Sequence, residues 1–120
     1  IIATCRGMQY INVMFGGKLW YHPKLPVNRT RGVDHQVWLV KEQRNIWVNN
    51  YHSDCIYEEG LASCFEPLAI DRENHVVEAY GSDEMKILAL QWHPERRFET
   101  ANAYEETRKI ILDFIQKYVK

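Results

Sequence analysis

Cysteine is scarce: the 120 residues hold three, Cys5, Cys55 and Cys64. The number is odd and no two form a C-x-x-C pair, which argues against a disulfide framework and against a zinc ribbon. A reducing compartment, the cytoplasm, is the simplest setting. Histidine offers no metal site either, because His22, His35 and His75 have no partner at metal-ligand spacing. Excess charge is also lacking. The formal net charge is −1, which gives no reason to expect nucleic acid or an anionic membrane as partner. No apolar run approaches the length needed to cross a bilayer. No repeat, low-complexity stretch or linker stands out, and the length fits one domain. An initiator Met is missing too. The chain opens in mid-strand on Ile1-Ile2-Ala3, so the expectation is the later part of a longer protein, with any upstream targeting segment beyond it.

What is present is ordinary for a soluble globular chain: 46% apolar and 26% charged residues. Ile1 to Thr4 reads as a short buried strand. The next segment carries Met8, Ile11, Met14 and Phe15 at spacings of three and four, the stripe of an amphipathic helix that Gly16-Gly17 ends. Leu19 to Gly32, with Pro23 and Pro26, reads as a loop. It contains the triplet Asn28-Arg29-Thr30, a glycosylation sequon of a kind common by chance. Gln36 to Val40 and Ile46 to Val48 form a hairpin pattern around a polar turn. Tyr57 to Leu61 predicts a helical turn. Pro67 to Ile70 and Val76 to Tyr80 predict two strands around Asp71 to Asn74, and Gly81-Ser82-Asp83 a further turn. Ile87 to Trp92 is nearly continuous in apolar residues, as a strand covered on both faces should be. Ala101 to Lys120 predicts an amphipathic helix with Tyr104, Ile111, Phe114, Ile115 and Val119 on one face. Helices at both ends with strands between predict an α/β fold with some antiparallel additions.

Two segments carry candidate chemistry. Cys5 lies between a buried strand and a helix, where helix-end N–H groups and the dipole favour an anion and should lower a thiol's pKa. The register Ala3-Thr4-Cys5-Arg6-Gly7 resembles the nucleophile elbow, with Gly7 keeping the helix start clear of the strand. The competing reading is a buried thiol that packs as a small hydrophobe. His93-Pro94-Glu95 follows the last strand. Residues two apart on an extended chain point the same way, so Glu95 can hold the His93 imidazole in one tautomer and stabilise its charged form. A structural His beside a surface Glu is the plain alternative. Asn49 to Ser53 gathers polar groups in a loop after a strand, which is where binding residues tend to sit, although an ordinary turn has the same composition. Cys55 and Cys64 read as core or near-surface thiols, Trp20, Trp38 and Trp47 as packing residues, and Arg96-Arg97 as surface.

Cys5 to Val13 with Gly16-Gly17, then Val48-Asn49-Asn50-Tyr51-His52, then Gln91-Trp92-His93-Pro94-Glu95 follow one another in an order that resembles the class I glutamine amidotransferase superfamily. Within it the chain is most similar to the gamma-glutamyl hydrolase branch, peptidase C26, which includes gamma-glutamyl-gamma-aminobutyrate hydrolase. The resemblance runs over nearly the whole chain. It implies a flavodoxin-like α/β fold, with residues 1–120 as the C-terminal part of a single domain whose N-terminal strands lie outside this chain. It further implies Cys5 as nucleophile, His93 as base and Glu95 as orienter. Gln9 would help hold the glutamyl portion of the substrate, Asn50, Tyr51, His52 and Ser53 would give loop contacts to it, and the Arg6 backbone N–H would be one oxyanion donor. Ala3 stands where the elbow usually has glycine.

The expected reaction is therefore hydrolysis of a small-molecule gamma-glutamyl amide through a gamma-glutamyl thioester, with no metal or organic cofactor. Two alternatives share the residues: a glutaminase domain that delivers ammonia to a synthase partner, and an inactive fragment or binding subunit. The missing N-terminal segment of the same protein is an expected partner. Without it, exposed sheet edge and apolar surface would favour a homo-oligomer.

Overall fold

The computed structural model describes residues 1–25 and 30–118. Asn28 and Arg29 of the sequon, and Val119 of the expected helical face, lie outside the described residues. Six strands form one sheet: β1 (Ile2–Thr4), β2 (His35–Leu39), β3 (Arg44–Val48), β4 (Glu66–Asp71), β5 (Val76–Ser82) and β6 (Ile87–Leu90). Helix α1 (Arg6–Met14) follows β1, helix α2 (Ala103–Tyr118) ends the described chain, and a short 3-10 turn covers Glu58–Gly60. Across the sheet the order is β1-β6-β5-β4-β2-β3. Only β1 and β6 run parallel, and the other neighbouring pairs are antiparallel. Antiparallel pairing thus dominates this part of the sheet. The parallel pair is the part that matters for the site, because both of its strands end on the same side.

The sheet is apolar on both faces, and alternation along β6 shows how. Ile87 and Ala89 join a cluster with Met8, Ile56, Phe65 and Tyr80 on the α1 side. Leu88 and Leu90 join Val37, Ile46, Val48 and Trp92 on the other side, where Ile110, Ile111 and Phe114 of α2 pack. Burying each such side chain contributes roughly 1.5–3 kcal/mol, so a sheet covered on both faces is a strong constraint on register. Trp92 ties the helix to the strand end as well, its indole N–H donating to Thr107 Oγ1 at 3.0 Å.

Several boundaries differ from the sequence expectation for identifiable reasons. β5 continues through Gly81 and Ser82, which pair with Leu88 and Ile87, so the turn falls at Asp83 to Lys86 instead. Gly81 is within the ladder because a Cβ there would stand 3.0 Å from the Ile87 carbonyl oxygen. α1 does not bury its predicted stripe: Met8 is buried, but Met14 is 78% exposed, and the other buried positions are Gln9 and Asn12. The helix ends where Gly16 adopts φ +95°, as expected. In α2, Ala103 and Thr107 are the buried residues, whereas Tyr104 and Ile115 are exposed. No helix among the described residues is long and apolar enough to cross a membrane.

Candidate active site

Cys5 is the residue immediately after β1 and the N-cap of α1, with φ 49° and ψ −109°. A non-glycine residue with positive φ is strained, and such strain concentrates at functional turns. The strain is held in place: Thr4 pairs with Leu90, and the Cys5 backbone N–H donates to the Leu90 carbonyl at 2.8 Å. Gly7 is not needed for steric clearance as expected. A methyl there would sit 3.6 Å from Ala3 Cβ, an ordinary contact. The small Ala3 supplies that room.

The thiol departs from the electrostatic expectation. Burial pushes the Cys5 thiol above its ordinary value, and the Arg6 backbone N–H and the charges of Arg6 and Arg96 only partly oppose this. The helix start therefore offers donors to an anion without making the resting thiol acidic. A nucleophile of this kind needs a base at the moment of attack.

β6 ends at Leu90, and the chain then turns. His93 Nδ1 and Glu95 Oε2 lie 2.8 Å apart. The pair forms, but not on an extended strand as expected. Pro94 and Glu95 occupy a turn closed by the Arg96 N–H on the His93 carbonyl at 3.1 Å, and this turn brings the carboxylate back to the ring. Partial burial alone would raise the Glu95 pKa. Its own backbone N–H, His93 and Arg96 outweigh that and hold the carboxyl below its usual range, ionised beside the imidazole. With Nδ1 engaged by Glu95, Nε2 is the nitrogen left for proton transfer.

Asn49 fixes this turn from below. It is fully buried, accepts from the His93 N–H at 3.0 Å and donates to the His93 carbonyl at 2.8 Å. One side chain thus holds both backbone groups of His93. Asp34 anchors the following segment by accepting from the Glu99 and Thr100 N–H groups at 2.9 and 2.8 Å.

The loop after β3 comes to the same end of the sheet. The Tyr51 ring meets the His93 ring edge-on at 5.9 Å, and the guanidinium of Arg96 lies 4.7 Å from the Tyr51 centroid. Arg96 is exposed, as read from the sequence, yet it packs against the site. Asn50 is buried and donates to the Thr30 carbonyl at 3.2 Å. His52 turns inward: Nδ1 meets the Asp54 carbonyl at 2.7 Å and Nε2 lies 3.5 Å from Glu78 Oε2. Ser53 is exposed. Asn50, His52 and Ser53 line a groove of about 290 Å³ together with His22, Lys24 and Arg31. Gln9 is buried, its amide nitrogen donating to the Asp54 carbonyl and to Gln91 Oε1. The Arg6 side chain is exposed and reaches Tyr10, so Arg6 offers the site its backbone N–H. Among the described residues no cluster of His, Cys, Asp and Glu could hold a metal ion.

Three residues of this region escape a reading of the sequence. Glu78 carried a signal, a carboxylate inside the apolar run Val76 to Tyr80, and it proves fully buried. Asn49 and Gln91 carried none beyond their places at strand ends.

The geometry agrees with comparisons to known proteins. The peptidase C26 family model matches residues 1–95. The glutamine amidotransferase-like protein YvdE of Lactococcus lactis is 30% identical over 116 residues, spanning 83% of this chain and 48% of that protein. Aminodeoxychorismate/anthranilate synthase component 2 of Bacillus subtilis is 26% identical over 122 residues, spanning 100% of this chain and 60% of its own. The chain thus spans about half the length of these curated relatives. A solved structure of a GMP synthase glutaminase-type subunit is not needed to see the fold, but one described as a GMP synthase subunit from Thermoplasma acidophilum superposes with a TM-score of 0.70 at 21% identity, over 98% of this chain and 58% of the other. A glutamine amidotransferase from Thermotoga maritima gives 0.62 at 17% identity, over 99% and 50%. At such identities the superpositions establish the fold, that of the class I glutamine amidotransferases. Since the family model runs from the first strand through Glu95, the chain belongs to the peptidase C26 family of the class I glutamine amidotransferase superfamily.

Proposed function

We propose that the protein of which this chain is part hydrolyses gamma-glutamyl amides, with Cys5 as nucleophile, His93 as acid and base, and Glu95 as orienter. The observation that supports this best is the placement of the strained Cys5 elbow and the His93–Glu95 pair just beyond the ends of two adjacent parallel strands. In the reaction, Cys5 Sγ attacks the side-chain amide carbonyl as His93 Nε2 takes the thiol proton. The carbonyl oxygen becomes an oxyanion, to which the Arg6 backbone N–H donates. The C–N bond then breaks, the imidazolium gives its proton to the leaving amine, and a gamma-glutamyl thioester remains. Water adds to the thioester with its proton passing to His93. The C–S bond breaks, glutamate leaves and the thiol is restored. Glu95 stays ionised throughout and stabilises the imidazolium. Acid–base help of this kind contributes roughly 10²–10⁴-fold. The Asn50 to Ser53 loop and Gln9 lie where the glutamyl portion would be held. The second oxyanion donor would come from the N-terminal segment of the same protein, and losing one such donor costs about 10²–10³ in rate.

A second reading is favoured by the likeness to a synthase component: a glutaminase that passes ammonia to a synthase partner. Glutamine hydrolysis that is slow alone and rises when a partner binds would select it. The test of the first reading is Cys5→Ser in the full-length protein, assayed on a panel of gamma-glutamyl amides. Turnover should be abolished, and undiminished turnover would remove Cys5 from the mechanism.

A further inference from the structure

We infer that Gln91 is a further residue of the reacting centre, its side-chain N–H donating to the Cys5 sulfur, and that Gln9 is a positioning residue that fixes which end of the Gln91 amide faces that sulfur. The inference rests on the reading of Cys5 as nucleophile. Gln91 is the first residue after β6 and is 1% exposed. Its Nε2 stands 3.8 Å from Cys5 Sγ, and its Oε1 accepts from Gln9 Nε2 at 3.2 Å. Gln9 is 2% exposed, and its Nε2 also donates to the Asp54 carbonyl at 3.1 Å.

The order of these bonds settles the polarity. A backbone carbonyl can only accept, so the Gln9 nitrogen, not its oxygen, faces Asp54. The same nitrogen then requires the oxygen of Gln91. The Gln91 nitrogen is left to face the sulfur and presents an N–H there. A donor at that place favours thiolate over thiol. The other groups acting on Cys5 are accounted for: Arg6 and Arg96 favour the anion, and Glu95 and burial oppose it. His52 does not compete for the relay's polarity, because its Nδ1 meets the second lone pair of the same Asp54 carbonyl. One carbonyl in the candidate substrate loop thereby sets the polarity of the amide that touches the sulfur.

The relay can be tested without any substrate. In the full-length protein, the pH dependence of Cys5 alkylation by iodoacetamide is read by peptide mass spectrometry, which separates Cys5 from Cys55 and Cys64. Gln91→Met keeps the volume and removes the donor, so Cys5 alkylation at a fixed pH should fall about tenfold as the profile moves up in pH, the loss expected of one hydrogen bond to a charged group. Gln9→Met should give a smaller fall in the wild-type background and none in the Gln91→Met background, since it acts only through Gln91. A packing role for Gln9 would instead persist in both backgrounds. Gln91→Asn, which withdraws the amide by one methylene, gives the same upward shift if Gln91→Met does not fold. An unchanged profile in a folded Gln91 variant overturns the inference. Its failure is separable from that of the proposed function: Cys5→Ser with full turnover would refute the nucleophile and leave the alkylation shift standing.

Discussion

Replacing Asn49 by aspartate is the most informative change the structure suggests. The two side chains have nearly the same shape, so packing is preserved. The Oδ1 acceptor for the His93 N–H at 3.0 Å is kept. The Nδ2 donor becomes a carboxylate oxygen pointed at three carbonyls, those of His93 at 2.8 Å and of Arg96 and Arg97 at 3.4 Å. Each buried polar group left unpaired costs about 1–3 kcal/mol. Asn49→Ala strips both His93 groups of their partner and should cost about 2–4 kcal/mol. Asn49→Asp should cost at least as much at neutral pH despite its shape. The difference from wild type should shrink as the pH falls toward about 4, because a protonated carboxyl regains an O–H donor. Urea denaturation of the full-length protein at both pH values measures this directly. Turnover should fall about 10²-fold in kcat, the scale expected when a reacting group is misplaced by about 1 Å. An Asn49→Asp protein as stable as wild type at neutral pH would refute the clamp, as would a deficit that ignores pH.

Other consequences follow from the same contacts. Cys5 alkylation in the free protein should rise only at pH values above the ordinary thiol range, because the fold favours the neutral form. By linkage, that thiol contributes stability below its unfolded pKa which is lost as the pH climbs through the folded one, and an alkylation profile centred below pH ~8.5 would contradict the burial argument. Gly7→Ala should leave the melting temperature nearly unchanged, whereas Gly60→Ala should cost about 1–3 kcal/mol, since its Cβ would stand 2.3 Å from the Trp20 ring. Thr107→Val keeps the shape but leaves the buried Trp92 N–H without its acceptor and should cost about 1–3 kcal/mol by urea denaturation, with little effect on turnover.

Much of the fold could be read along the chain where one period dominates. The hairpin of β2 and β3, the pair β4 and β5, and the doubly covered β6 all follow from β-branched and aromatic runs between polar turns. Where local pattern and tertiary contact compete, the reading fails. Gly81 and Ser82 look like a turn but are strand, because β6 pairs with them. Met14 and Phe15 fit a buried stripe, yet buried Gln9 and Asn12 take that side of the helix. Asn12 does so because its side chain bonds the Gly60 carbonyl at 3.0 Å and the Ala62 N–H at 2.8 Å, both some 50 residues away. The candidate site divides in the same way. Cys5, His93 and Glu95 are legible because thiol, imidazole and carboxylate are rare at strand ends. The route by which Glu95 reaches His93, a turn and not an extended strand, is a backbone property that two-residue spacing does not reveal. Gln91 and Asn49 were out of reach because an amide declares its role only through the partners it crosses the fold to meet.

The central claim is that Cys5 carries the acyl group during turnover. The most direct measurement is intact-protein and peptide mass spectrometry of the full-length protein, quenched with acid during turnover of a gamma-glutamyl amide. A mass increase of one glutamyl group should map to the Cys5 peptide and vanish in Cys5→Ser. Turnover with no such adduct in wild type and His93→Ala alike, or an adduct that maps to Cys55 or Cys64, would contradict it.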